Sequence, residues 1–134
     1  LLPGDIGRPA EQALLRASAA ALKADVVLVP HHGSGGSSSA PWVAAVSARL
    51  ALVSAGHQNR FGHPRQDVVR RWQGQGAEVV STAESGAIRV WLGAQGLQLR
   101  EQRIHASRWW DAAGRARSAA ILSPIEQAAV GPEG

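Results

Sequence analysis

The sequence predicts an α/β domain in which helices lie in layers beside a largely covered sheet. Segments with helical periodicity alternate with short apolar segments of strand type along most of the chain. Strands are predicted at residues 26–29 and 50–54, because the continuous apolar runs at residues 26–29 and 50–53 are typical of strands that are buried on both faces. With 134 residues, 45% of them apolar, the chain is long enough for one domain with its own core.

The first two helices are predicted at residues 9–23 and 40–47. Pro9 falls in the first turn, where a missing N–H is harmless, and Ser39 is a suitable N-cap for the second helix. Three apolar side chains of the first helix share one face at helical spacing, namely Leu15, Ala19 and Leu22.

A third helix is predicted at residues 66–75, with Val68, Val69 and Trp72 on one face and Arg70 and Arg71 directed away from it. Strands are then expected at residues 77–81, 87–92 and 97–103, with a turn at residues 83–86 between the first two. After His105 the pattern changes to paired tryptophans followed by alanine and arginine. We therefore expect one domain at residues 1–103 and a helical, frayed tail at residues 104–134.

Composition excludes several classes of protein. The apolar runs are far shorter than the roughly 18 residues that cross a bilayer, so no membrane segment is predicted in this chain, and no signal peptide is visible. Cysteine is absent, so any metal would be bound by His, Asp or Glu. The net charge of +4 comes almost wholly from arginine. Arginines at positions 60, 65, 70 and 71 favour a polyanionic partner such as nucleic acid, although a general solubilising role explains them equally well.

Polar side chains that can bind metal lie where three apolar segments give way to loops. His31 and His32 follow the strand at residues 26–29, Asp5 follows Gly4, and His63 lies in the loop at residues 56–64. Such positions meet at one edge of the sheet in α/β folds, so we expect these four side chains to lie close together. Carboxylate and imidazole groups together suit zinc or manganese.

Each of the first three residues has a simpler interpretation as well. Asp5 on its own is more typical of a turn or an N-cap. His31 and His32 have the simpler interpretation of a solvated pair. They are adjacent and point in different directions, so at most one of them is expected to bind the metal, while the other faces the substrate or supports the ligands. His32 is slightly preferred as the ligand, which makes His31 a candidate catalytic residue. The glycine-rich loop after Ser34 would let a phosphate approach the backbone amides closely, which makes Ser34 a candidate substrate-binding residue.

The loop at residues 56–64 leaves two roles open for His63. It is either a last metal ligand or a catalytic group that contacts the phosphate and donates a proton. Asn59 and Arg60 are candidate substrate-binding residues in the same loop, and Asn59 is also suited to orienting it. His57 and His105 are expected to be structural or exposed.

In the order Gly4-Asp5, strand-His31-His32-Gly33-Ser34 and Asn59-Arg60-Phe61-Gly62-His63-Pro64, the chain resembles the C-terminal half of the metallo-β-lactamase-like domain of ComEC-type DNA-internalisation (competence) proteins. The resemblance covers roughly residues 1–92. It implies half of an αββα sandwich, with a mixed sheet and flanking helices.

The same resemblance implies a function. Asp5 would bridge two divalent metal ions, zinc or manganese, in a nuclease that cleaves phosphodiesters of DNA and degrades the strand that is not taken up during transformation. The parent protein would be embedded in the bacterial inner membrane, with this domain soluble. Thr82 and Gly86 match a turn of the family to which we assign a folding role.

The most diagnostic family element, a His-x-His-x-Asp-His loop, does not occur in this chain. The chain also begins with Leu and contains no methionine, so we expect a fragment that is inactive on its own. Two alternatives stay open: a hydrolase of the same fold that acts on a smaller phosphodiester or other ester, and a catalytically inert half-domain.

Overall fold

The computed structural model describes residues 1–94 and 96–105, with the backbone alone for residues 104 and 105. These residues belong to two compact units, Leu1–Glu84 and a second unit that begins at Ser85. The predicted boundary between residues 103 and 104 stays a prediction, and the predicted tail beyond residue 105 lies outside the described residues.

The first unit contains a three-stranded sheet in which all strands are parallel. Its strands are β1 (Val26–Leu28), β2 (Leu50–Val53) and β3 (Glu78–Ser81), in the order β1-β2-β3. Val27 pairs with Ala51, which pairs with Val79. Because the strands are parallel, the loops that follow them leave the sheet at the same edge.

The N-terminal segment extends this sheet beyond β1. The Leu1 backbone nitrogen donates a hydrogen bond to the Val26 carbonyl at 2.7 Å, and the Leu28 N–H donates to the Leu1 carbonyl at 3.0 Å. One residue bonded to two alternate residues of its neighbour is the pattern of parallel pairing. The His31 N–H then donates to the Gly4 carbonyl at 3.1 Å, which places Asp5 beside the loop that follows β1.

Three helices flank the parallel sheet: α1 (Arg8–Ser18), α2 (Ala40–Val46) and α3 (Gln66–Gly74). The first helix ends earlier than predicted, because the backbone tightens into a 3₁₀ turn at Ala19–Leu22. Leu22 is buried as expected, but the prediction for Ala19 was wrong, since the change of helix type leaves it exposed.

The core of the first unit lies between the sheet and these helices. Two tryptophans, Trp42 of α2 and Trp72 of α3, are almost completely buried. Trp72 and Val68 occupy the predicted inner face of α3, whereas Arg70 is exposed. The aliphatic part of the core is contributed mainly by valines of the strands and helices, namely Val27, Val29, Val43, Val46, Val53 and Val68.

The second unit contains an antiparallel ribbon of two strands, β4 (Ile88–Gly93) and β5 (Gly96–Glu101). A short helix, α4 (Thr82–Ser85), precedes it in place of the predicted turn, and α5 (Gln102–His105) replaces the predicted end of the last strand. The α/β class is thus confirmed. Among the described residues, however, the parallel and antiparallel pairs form two separate sheets and not the one mixed sheet that was expected.

Candidate functional site

The first arm of the site is the tight turn Pro30–Gly33, which follows β1. Its two histidines adopt left-handed backbone conformations, with φ of 49° for His31 and 55° for His32. Non-glycine residues rarely adopt this conformation, and clusters of such strain occur mainly at functional sites. Gly33 follows with φ of 80°, and a Cβ there would lie 2.7 Å from Cβ of Pro64. The turn therefore requires glycine at this position.

The ring of His32 is fixed by the loop that follows β2. Its Nδ1 lies 2.7 Å from the carbonyl oxygen of Ser54. A carbonyl oxygen only accepts hydrogen bonds, so Nδ1 carries the proton and donates it. The other nitrogen, Nε2, then faces Asp5, with 3.6 Å between Nε2 and Oδ1. The structure thus brings Asp5 and His32 together at the carboxyl edge of the parallel sheet.

This pair fits a divalent metal. Two ligands with bonds of about 2.0–2.2 Å to one tetrahedral ion lie about 3.3–3.5 Å apart, close to the observed separation. A ligand histidine also commonly donates its second ring N–H to a carbonyl oxygen, as His32 does to Ser54. Both side chains are at least half exposed, so an ion could reach them. Within residues 1–94 and 96–105, no cluster of three or more His, Asp or Glu side chains is arranged to hold a metal.

The second arm of the site is the loop at residues 56–64. The Asn59 amide donates to the carbonyl groups of Gly56 at 3.0 Å and His63 at 2.6 Å, and its oxygen accepts the His63 N–H at 3.0 Å. Both N–H groups of the amide are thereby used within the loop. This geometry supports the loop-orienting role, and the substrate-binding role of Asn59 stays a prediction.

His63 lies near the first arm. Its ring centroid is 6.4 Å from that of His31, which is in turn 6.4 Å from that of His32. Burial lowers the pKa of His63 below its ordinary value of 6.5, and the charges of His31, His32 and Arg65 lower it further. His63 is therefore mainly neutral near pH 7, the form in which imidazole binds metal.

An open cleft of about 300 Å³ lies between the two arms. Phe61 forms part of its wall and is 61% exposed. The Phe61 ring stacks on His63, with 5.9 Å between the centroids, and the Arg60 guanidinium lies 4.8 Å from the centre of the Phe61 ring. The cleft is lined by His32, Ser54, Ala55, Gly56, Asn59, Phe61 and His63.

The two arms are joined directly. The Arg65 N–H donates to the Gly33 carbonyl at 2.9 Å, beside the close approach of Gly33 to Pro64. Ser34, predicted to bind substrate, is half-buried, and its hydroxyl accepts the Gly36 N–H at 3.3 Å. The Ser34 hydroxyl is therefore hydrogen-bonded within the glycine-rich loop in this conformation.

The sequence did not identify Glu11 as the residue that holds the end of the glycine-rich loop, at Ser38 and Ser39. Glu11 of α1 is completely buried, and its carboxylate accepts the backbone N–H groups of both Ser38 and Ser39. Ser38 also accepts hydrogen bonds from Trp72 through its hydroxyl and from Arg71 through its carbonyl. Nothing in the spacing of Glu11 distinguishes it from a solvated helix residue, so the sequence contained no usable signal.

Two residues outside the cluster have partners that fit the roles expected for them. The Nδ1 atom of exposed His57 lies 2.9 Å from the Ala83 carbonyl, so its ring is engaged away from the cleft. The Thr82 hydroxyl lies 2.9 Å from both the amide and the carbonyl of Ala55, and so ties the start of α4 to the end of β2. The side chain of His105 lies outside the described residues.

Comparison with curated proteins gives several similar sequences. The chain is 40% identical over 113 residues to the uncharacterized protein YcaI of Escherichia coli, covering 82% of this chain and 15% of YcaI. It is 32% identical over 109 residues to competence protein ComA of Neisseria gonorrhoeae, covering 81% and 16%. It is 35% identical over 88 residues to ComE operon protein 3 of Bacillus subtilis, covering 66% and 11%. These similarities support placing the chain in a family of competence proteins.

The chain spans about a sixth or less of the length of these relatives. No family model matches it, and no solved structure does. Among the described residues, none of the helices is both long enough and apolar enough to cross a membrane.

Proposed function

We propose that this chain is the C-terminal part of a metal-dependent phosphodiesterase, a metallo-β-lactamase-like nuclease domain of a bacterial competence protein that takes up DNA. In the complete domain, zinc or manganese would occupy a two-ion site, and the activity would degrade the DNA strand that is not transported. The parent protein would lie in the inner membrane, with this domain outside the bilayer. The names of the relatives support the competence role, and the site geometry supports the metal chemistry.

The observation that carries the proposal is the position of the His32 ring. With Nδ1 donating to Ser54, Nε2 is the ring nitrogen that faces Asp5 and the atom through which His32 would bind a metal. A surface ion pair would need a protonated ring, whereas a metal ligand needs the neutral ring in this orientation. On this geometry we assign His32 as the ligand, and the family resemblance gives Asp5 the role of bridging carboxylate.

The remaining residues are assigned to the substrate. Divalent ions would supply stabilisation of the charge that develops on the phosphate and would activate water. The ring of His31 lies 6.4 Å from each of the rings of His32 and His63, and in this position His31 and His63 would contact the phosphate or transfer a proton. His63 would alternatively complete the ligand set. Arg60 would bind the phosphodiester backbone, and Ser34 and Asn59 would hold the loops that approach it.

The isolated chain should bind divalent metal weakly and should not cleave DNA. Only two clear ligands converge in its described residues, and a two-metal centre needs more. Isothermal titration with zinc and manganese, together with cleavage assays on labelled DNA, would measure both properties. Strong metal-dependent cleavage by residues 1–134 alone would show that the assigned ligand set is wrong.

In a domain restored with an upstream segment that supplies the missing ligands, Asp5→Ala should abolish DNA cleavage and lower the bound metal. A bridging carboxylate holds both ions, so its loss should cost at least about 10³-fold in rate. His57→Ala is the matched control, since His57 is exposed and engaged with Ala83, and it should change the rate less than about twofold. Equal effects of the two substitutions would contradict the assignment of Asp5.

His63→Ala in the same restored domain would separate the two roles of His63. If His63 is a ligand, metal content measured by mass spectrometry should fall together with cleavage. If it contacts the phosphate or transfers a proton, cleavage should fall by about 10²–10⁴-fold while metal content stays constant. Wild-type values for both quantities would remove His63 from the site.

A catalytically inert half-domain is the second candidate for this chain. It is favoured by one observation, the absence among the described residues of a cluster of three metal-binding side chains. The two candidates differ in the restored domain: the nuclease becomes active there, whereas an inert half-domain stays inactive with any divalent metal. A hydrolase of a smaller phosphodiester or ester would cleave a small chromogenic diester faster than DNA.

A further inference from the structure

The β4–β5 ribbon places two arginines directly opposite each other. Its register pairs Arg89 with Arg100, and it pairs Trp91 with Gln98. Because side chains alternate along a strand, all four lie on one face of the ribbon, and all four are exposed. We call this surface the arginine-tryptophan face. It consists of Arg89, Trp91, Gln98 and Arg100.

The other face of the ribbon is apolar over most of its length. Val90 and Leu99 pair on it and are half-buried. Glu101 also lies on this other face, although it is adjacent in sequence to Arg100, and its carboxylate accepts the Ser85 hydroxyl. The acidic residue nearest to Arg100 in the sequence is therefore engaged on the opposite side of the ribbon.

Two like charges directly opposite each other destabilise an antiparallel pair. Within the part of the chain that the structure describes, neither Arg89 nor Arg100 forms a side-chain hydrogen bond or an ion pair. Their repulsion is therefore uncompensated by the described residues. An anion held between the two guanidinium groups would remove it, and phosphate is the group that the planar fork of arginine binds in a bidentate manner.

Trp91 adds an aromatic surface to the same face. Its side chain is 47% exposed, and it lies two residues from Arg89 along β4, roughly 7 Å away along the strand. A hollow of about 280 Å³ lies beside it at the hairpin end, with Gly93, Gly96 and Gln98 in its wall. An exposed indole beside paired cations is the combination that binds single strands, because bases stack on the ring while phosphates meet the cations.

We propose that the arginine-tryptophan face binds single-stranded DNA, with Arg89 and Arg100 holding the phosphates and Trp91 stacking on a base. Single strands are favoured over duplex because the bases of a duplex are stacked on one another and hidden from Trp91. The proposal rests on the proposed function only in the choice of DNA as the polyanion. It requires no metal and no cleavage, and it shares no residue with the candidate metal site.

The test is fluorescence anisotropy of a labelled 20-nucleotide oligothymidine with the whole chain, in the presence of EDTA. Arg89→Gln with Arg100→Gln should weaken binding at least about tenfold. The salt dependence, as the slope of log K against log salt, should fall by about 1.4, because two phosphate contacts are lost. The matched control is Arg16→Gln with Arg49→Gln, which removes the same charge from exposed positions of the first unit and should change binding less than about twofold.

Trp91→Ala should weaken binding of the oligonucleotide about tenfold, since stacking on an aromatic side chain is lost. Trp91→Phe should restore most of it, and neither change should alter binding of heparin, a polyanion without bases. Circular dichroism would establish that each variant is folded, and single Arg89→Gln would be used if the double variant is not. Equal weakening by both arginine pairs, or an unchanged affinity of Trp91→Ala, would overturn the proposal.

Because EDTA prevents metal-dependent cleavage, the two proposals can fail separately. If the chain binds oligothymidine through this face but the restored domain does not cleave DNA, only the nuclease assignment is wrong. If the restored domain cleaves DNA and substitutions in the arginine-tryptophan face leave its DNA binding unchanged, only the assignment of that face to DNA is wrong.

Discussion

The two arms of the candidate site are held in shape by different kinds of interaction. The first arm, Pro30–Gly33, is fixed through its backbone: three consecutive residues have positive φ, and Gly33 contacts Pro64 closely. The second arm, residues 56–64, is fixed by one side chain, since Asn59 hydrogen-bonds to the backbone at both Gly56 and His63.

This difference determines which residues of each arm can be substituted without loss of its shape. The first arm depends on the absence of a side chain at Gly33, while both of its histidines are exposed. The second arm depends on the presence of an amide at Asn59, and its other exposed residues, Arg60 and Phe61, are available to contact a ligand. A strained backbone and a bracing amide thus perform the same task, which is to hold a histidine at the sheet edge.

Gly33→Ala should have the largest effect on stability. The added Cβ would overlap with Pro64, and φ of 80° is unfavourable for alanine, so the free energy of unfolding should fall by about 3 kcal/mol. Chemical denaturation monitored by tryptophan fluorescence would measure the change. Gly35→Ala is the matched control, because a Cβ at Gly35 would meet no atom within 4 Å and its φ is not positive, so it should be neutral or slightly stabilising. Similar losses for both variants would show that the first arm does not depend on Gly33.

Asn59→Ala should have a smaller effect, about 1–2 kcal/mol, because the three backbone groups that it releases are partly reached by water. Asn59→Asp should be at least as harmful, since a carboxylate keeps the bond to the His63 N–H but places an acceptor against two carbonyl oxygens. Thermal denaturation would compare both variants with Gln58→Ala, which changes an exposed neighbour of Asn59 and should be nearly neutral. If Asn59→Asp were as stable as the wild type, Asn59 would not brace the second arm.

The sequence predicted the parts of the fold that depend on local pattern. Periodicity located α3 and its inner face of Val68 and Trp72, and continuous apolar runs located β1 and β2. Placing polar residues after strands and before loops was enough to predict that Asp5 and His32 lie close together. The reason is that parallel strands end at a common edge, whatever the details of packing.

The remainder could not be predicted because it depends on contacts between distant residues. Glu11 looks like a solvated helix residue, and only the fold brings the Ser38 and Ser39 amides to it. The left-handed conformation of His31 and His32 is imposed by their surroundings against their own preference. The formation of a ribbon that pairs only with itself among the described strands likewise depends on strand pairing, which apolar alternation does not specify.

The smallest expected effect is on the pH dependence of stability, to which His63 of the second arm contributes through its contact with the charges of the first arm. Its pKa in the folded chain is lowered below 6.5 by burial and by the positive charges of His31, His32 and Arg65. The unfolded chain therefore binds the proton first as the pH falls below 6.5, so stability is lost over that range and is fully present above it. The melting temperature should accordingly fall less between about pH 7.5 and 5.5 in His63→Gln than in the wild type.

His31→Gln should reduce the fall partially, because it removes one of the first arm's charges. His57→Gln lies outside the histidine cluster and should leave the contribution of His63 intact. A pH dependence of His63→Gln identical to that of the wild type would show that the two arms are not coupled electrostatically.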